Sequence, residues 1–75
     1  MKINLNSIDN VKKFVDIATS LGMKDADLVS GRYVISATSI MGIFSLDLSK
    51  PIELVGMTDE QEKGIRETFK DIIVE

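Results

Sequence analysis

Ala26-Asp27-Leu28-Val29-Ser30-Gly31-Arg32-Tyr33-Val34-Ile35-Ser36-Ala37 decides the fold. It reads as two strands, residues 26–30 and 32–37, meeting at Ser30-Gly31, where glycine supplies the positive φ of a tight hairpin turn. Side chains alternate across a strand, so Tyr33, Ile35 and Ala37 share one face, and Val34 and Ser36 share the other. An antiparallel hairpin with one apolar face has to be covered, and the flanking segments carry the pattern to do so.

Downstream, Thr38 or Ser39 suits the N-cap of a short helix running from Ile40 to about Leu46. Gly42 inside it lowers helix propensity by about 1 kcal/mol relative to Ala, which points to a packing or docking reason for it. Lys50-Pro51 is a turn, because proline fixes φ and cannot donate to a central ladder. Ile52–Val55 follows as a strand, with Ile52 and Leu54 facing one way and Glu53 the other. Thr58-Asp59-Glu60-Gln61 has the T-x-x-Q form of a capping box, with acids in the first turn that suit the helix dipole. Ile65, Phe69, Ile72 and Ile73 are expected to form the buried stripe of that last helix.

Upstream, residues 1–5 read as a short half-buried strand, with Ile3 and Leu5 two apart. Ser7 suits an N-cap, and Ile8, Val11, Phe14, Val15, Ala18 and Leu21 then recur at helical spacing until Gly22 offers a C-cap. The order is β-α-β-β-α-β-α. One antiparallel sheet with helices on one face is the economical α+β architecture, and residues 1–75 are expected to form one domain.

Composition removes whole classes of function. The chain has no Cys and no His, which excludes disulfides, thiolate or imidazole metal sites, His-dependent triads and phosphohistidine intermediates. Nine Lys and Arg against twelve Asp and Glu give a net charge of −3, which argues against broad electrostatic binding to nucleic acid or an anionic membrane. Asp25 and Asp27, and Asp59, Glu60 and Glu62, fit a strand edge and a helix start better than a metal site, and none lies in a calcium-type loop. Lys12, Lys13 and Lys24 read as a solvated helix face. No metal, cofactor or catalytic residue is expected. The start of the chain lacks the apolar run of a signal peptide, and no stretch approaches the roughly 20 apolar residues of a bilayer span, so a cytoplasmic protein is expected.

The segment Ala37-Thr38-Ser39-Ile40-Met41-Gly42-Ile43-Phe44-Ser45-Leu46 resembles the regulatory-serine region of HPr, the small phosphocarrier family of the bacterial phosphoenolpyruvate:sugar phosphotransferase system. The S-I-M-G followed by x-x-S-L carries the likeness, and the element order matches that family's open-faced β-sandwich. By resemblance, Ser39 corresponds to the serine that an ATP-dependent HPr kinase phosphorylates, after which the family's protein acts as corepressor for a LacI-type transcription factor. Ile40, Met41 and Phe44 correspond to the patch on which the family's partners dock. From the residues alone, Ile43 and Leu46 would bury one stripe of the short helix, while Ile40 and Phe44 at i, i+4, with Met41 beside them, would project from the other side. The plainer alternatives are a serine that only caps the helix and a Phe44 or Met41 that tucks into the core.

The departure from the family is equally specific. The family carries a G-[IL]-H-A-R-P run between its first strand and first helix, with the histidine as phosphate acceptor. Here that region reads Leu5-Asn6-Ser7-Ile8-Asp9-Asn10-Val11. Counting back from Ser39 puts the histidine's place near Ile8 and the arginine's near Asn10; aligning the first strands instead requires a shortened loop. Asp9 adds a negative charge where a phosphate would need positive or neutral surroundings. The resemblance therefore implies a member without histidine phosphotransfer, nearest to the catabolite-repression paralogues. Such a protein would be a regulatory adaptor with a protein partner through residues 39–46, monomeric or weakly dimeric. A phosphocarrier-related protein of lost or altered role and a self-associating structural module are the alternatives.

Overall fold

A computed structural model describes residues 1–74. The elements are β1 (Lys2–Ile3), α1 (Ile8–Ser20), β2 (Asp27–Ser30), β3 (Tyr33–Ser36), α2 (Ile40–Phe44), β4 (Ile52–Val55), α3 (Asp59–Thr68) and a single 3₁₀ turn, Lys70–Ile72. The four strands form one antiparallel sheet in the order β1-β4-β2-β3, with the three α-helices against one face and the other face open. This is the antiparallel α+β sheet with helices on one face that the element order implied, and the open-faced β-sandwich that the resemblance implied.

The hairpin forms with shorter strands than expected and with its two-residue loop at Gly31-Arg32, one residue beyond the expected Ser30-Gly31. Ser30 pairs with Tyr33 across Gly31-Arg32, and Gly31 takes φ +60° at the first position of the two-residue loop. Leu28, Ile35 and Leu54 stand opposite one another on the helix side, as do Ile3 and Ile52. On the open face the corresponding row runs Val34, Val29, Glu53, Lys2.

Helix α1 starts at Ser7, whose Oγ accepts from the Asn10 N–H at 3.1 Å. It ends in a Schellman motif. The Met23 N–H donates to the Ala18 carbonyl at 2.9 Å and the Gly22 N–H to the Thr19 carbonyl at 3.1 Å, with Gly22 at φ +68°. Ala18 and Met23 are both fully buried, which supplies the apolar contact that usually accompanies this motif. Val11 and Phe14 complete the buried stripe, but Ile8 is 62% exposed. At the first helical position its side chain tilts back toward the N-terminus, away from the turns that contact the sheet.

The last helix is shorter than its apolar pattern suggests. It ends at Thr68, Phe69 caps it with φ −137°, and the chain turns through Lys70–Ile72. Phe69 and Ile72 are still buried, so the apolar spacing is satisfied by a turn rather than by continued helix. Ile73 then bridges Ile3 in antiparallel fashion. The Asn4 N–H donates to the Ile72 carbonyl at 2.7 Å, and the Val74 N–H to the Lys2 carbonyl at 3.0 Å. The outer side of β1 is thereby covered by the chain's own C-terminal segment. Sixteen buried apolar residues make one continuous core, and among the described residues no polar or charged side chain is buried with them.

Candidate functional site

Helix α2 holds the residues singled out by the motif. Ser39 is its N-cap: its Oγ accepts from the Gly42 N–H at 3.3 Å, while its carbonyl accepts from the Ile43 N–H at 2.9 Å. Ser45 closes the other end, its N–H donating to the Gly42 carbonyl at 3.1 Å and its hydroxyl donating to the same oxygen. A five-residue helix has almost no internal bonding of its own, so the two serines supply much of what holds it. Both bonds converge on Gly42.

Gly42 has a packing reason. A Cβ there would lie 2.6 Å from Ile35 Cγ2 and 3.0 Å from Ser39 Oγ. The missing side chain lets α2 lie directly on β3, with its backbone over Ile35. Ile43 is fully buried and Leu46 nearly so, as the stripe of a helix lying on a sheet should be.

Met41 is 79% exposed and Phe44 40% exposed, so these two stand on the outer side of α2. Ile40 differs from the expectation. It is half-buried and packs against the core, because at i, i+3 it lies on the same side as Ile43. The exposed cluster is therefore Met41 and Phe44, with Ile40 at its inner margin. No acidic residue lies in the first turn of α2 and no basic residue in its last, so the surface is uncharged as well as apolar.

Ile8, Asp9 and Asn10, the residues that the resemblance sets against the family's histidine run, lie at the start of α1. Ile8 is exposed, Asp9 lies in the first turn, and the Asn10 N–H is committed to Ser7. No cationic side chain stands among these residues to meet a phosphate. Among the described residues no group of three or more carboxylates is gathered as metal ligands.

One feature has no signal in the sequence. A shallow cavity of about 340 Å³ lies between the hairpin tip and the segment after α2, lined by Arg32, Tyr33, Ser45, Asp47 and Lys50 among others. Its Asp47 carboxylate accepts from the Ser49 N–H at 3.1 Å and from the Ser49 hydroxyl. Those two donors, the hydroxyl first, and then the Lys50 ammonium hold the Asp47 carboxyl below its ordinary range. The cavity brings together two segments a dozen residues apart, residues 30–33 and 45–50, which local pattern cannot show. Comparison of the chain with protein-family models, curated proteins and solved structures gives no match.

Proposed function

We propose that this chain is a non-enzymatic, HPr-like docking module of bacterial carbon regulation, acting in the cytoplasm. Its α2 surface receives a protein partner, and Ser39 is its phosphorylation switch. The observation that carries the proposal is the exposure of Met41 and Phe44 side by side on a helix that begins at Ser39. Exposed neighbouring apolar side chains of this size are what a partner's pocket takes up. A phosphate on Ser39 would bring roughly −1.5 to −2 charge beside an uncharged apolar patch, changing what can dock there. Its oxygens could take over the bond that Ser39 Oγ now accepts from the Gly42 N–H. The absence of histidine removes histidine phosphotransfer from the reading without touching either element of it.

The partner classes are an HPr kinase and a LacI-type regulator. Incubation with an HPr kinase and ATP, read by intact mass, tests the switch. One added phosphate, lost in Ser39→Ala, is the expected result. A kinase that modifies a control HPr and leaves this chain unmodified removes the switch. Docking is tested separately, by whether Met41→Ala and Phe44→Ala weaken binding to the LacI-type regulator.

A further inference from the structure

The two edges of the sheet are finished differently. Backbone groups of successive strand residues point alternately to the two sides, so one known bond fixes the phase of the whole sheet. The Leu54 N–H donates to the Met1 carbonyl at 2.8 Å, which assigns Ile52 and Leu54 to β1 and Glu53 and Val55 to β2. Asp27 and Val29 then bond toward β4, Leu28 and Ser30 toward β3, and Tyr33 and Ile35 back toward β2. The N–H and C=O of Val34 consequently point away from the sheet. Ser36 points the same way, but its carbonyl already accepts from the Ser39 N–H at 3.1 Å. At the opposite edge the corresponding groups of Lys2 and Asn4 are met by residues 72–74.

Edge strands are ordinarily blunted by a charge, a proline or a bulge. Tyr33–Ser36 has none of these: its four residues are uncharged, and its pairing with β2 is continuous. Tyr33 and Val34 are 62% and 61% exposed.

We infer that β3 pairs with β3 of a second copy of this chain, antiparallel about a twofold axis centred on Val34. Opposed residues must face the same side, so Val34 meets Val34, Tyr33 meets Ile35, and Arg32 meets Ser36 of the second copy. The two Val34 residues exchange both N–H···O=C bonds. On the open face a row of four valines results, Val29 and Val34 from each copy. The charges complement this register. Ser36 stands opposite Asp27 in the hairpin, so each Arg32 comes within reach of the second copy's Asp27. Among the described residues neither Arg32 nor Asp27 has an ion-pair partner within its own chain. Pairing further along the strand is blocked, because the chain leaves the sheet at the Ser36–Ser39 turn. The contact is short, so the dimer is weak.

Sedimentation equilibrium and amide NMR of the full chain from about 10 μM to about 1 mM test the inference. The expected result is a concentration-dependent dimer whose shifting amides cluster on Arg32–Ser36. Val34→Pro removes an N–H that the monomer does not use, so it should leave a folded, monomeric protein at every concentration. Arg32→Glu should weaken the dimer roughly three- to tenfold, and Asp27→Arg added to it should restore it. A chain monomeric throughout overturns the inference. So does a dimer indifferent to Arg32→Glu, one whose shifts map to Met41 and Phe44, or an edge that takes up an extended peptide but not its own copy.

Discussion

The side-chain amide of Gln61 joins the start of α3 to the end of α1, with its Nε2 donating to the Leu21 carbonyl at 3.2 Å. The same nitrogen donates to the Gly22 carbonyl at 3.2 Å, and Oε1 accepts from the Thr58 N–H at 3.0 Å. Gly64, one turn on, lets α3 approach the Leu21 side chain, since a Cβ there would lie 3.0 Å from both leucine methyls. One residue thus caps two helices and holds them together.

Gln61→Glu separates these two duties. Glutamate keeps the oxygen that serves Thr58 but cannot donate to Leu21 and Gly22. We expect a loss of about 1 kcal/mol for Gln61→Glu and about 1–2 kcal/mol for Gln61→Ala, read as denaturant midpoints. A Gln61→Glu protein as stable as the parent would mean that the link to α1 contributes nothing.

Alanine substitutions along α2 should report its orientation. Ile43→Ala should cost about 2–5 kcal/mol, Met41→Ala should stay within about 0.5 kcal/mol, and Ile40→Ala should fall between them. Phe44→Ala should cost less than Ile43→Ala. Equal midpoints for Ile43→Ala and Met41→Ala would contradict the burial described above.

Gly42→Ala tests the contact with β3. Helix propensity alone would favour the change by about 1 kcal/mol. The new methyl instead meets a branch methyl of Ile35 that cannot move without a change of χ1, so a net loss of about 1–2 kcal/mol is expected. Combining it with Ile35→Ala should recover part of the Gly42→Ala penalty in a double-mutant cycle. Strict additivity would remove Ile35 as the cause.

Ser39 has a structural effect to be measured apart from any modification. Ser39→Ala deletes the acceptor for the Gly42 N–H and should cost about 0.5–2 kcal/mol, whereas Ser39→Asp retains an acceptor and should hold stability. Thermal unfolding of the two variants side by side decides it; an equal drop for both would mean the cap bond is not what stabilises α2.

Asp47 should give a small acid-side dependence. Its carboxyl titrates below the ordinary value because Ser49 bonds its charged form. The group binds fewer protons folded than unfolded in that window. Its contribution is therefore complete above the ordinary carboxyl value near about 4 and is lost as pH falls through the folded one. Carboxyl NMR titration should show Ser49→Ala moving Asp47 back up; an unmoved Asp47 would remove Ser49 as the cause.

Strands, caps and turns were legible wherever the signal is local. Ser7 and Thr58 cap their helices as their positions imply, Ser39 rather than Thr38 caps α2, and Gly31 makes the turn. What was not legible depends on distant partners. Nothing near Gln61 announces Leu21, forty residues earlier. Ile72 and Ile73 keep a helical spacing, yet Ile73 is drawn off by Ile3, since a bridge to an open strand edge satisfies backbone groups that a frayed helix end would leave to water. The outer surface of α2 was half legible: periodicity over five residues is too short to tell an i, i+3 stripe from an i, i+4 one. Ile40 was the residue caught between them.

The C-terminal cover over β1 also sets how far strand addition can run. A sheet with two open edges behaves like a bifunctional monomer: each added copy exposes a fresh end, and growth is limited only by supply. Here residues 72–74 make the sheet monofunctional, so joining through β3 uses up the one reactive end among the described residues. Ending the chain after Ile72 would free the Lys2 carbonyl and reopen the second end while keeping Ile72 in the core. The shortened chain should then grow into open-ended fibres, while the intact chain stops at a counted assembly.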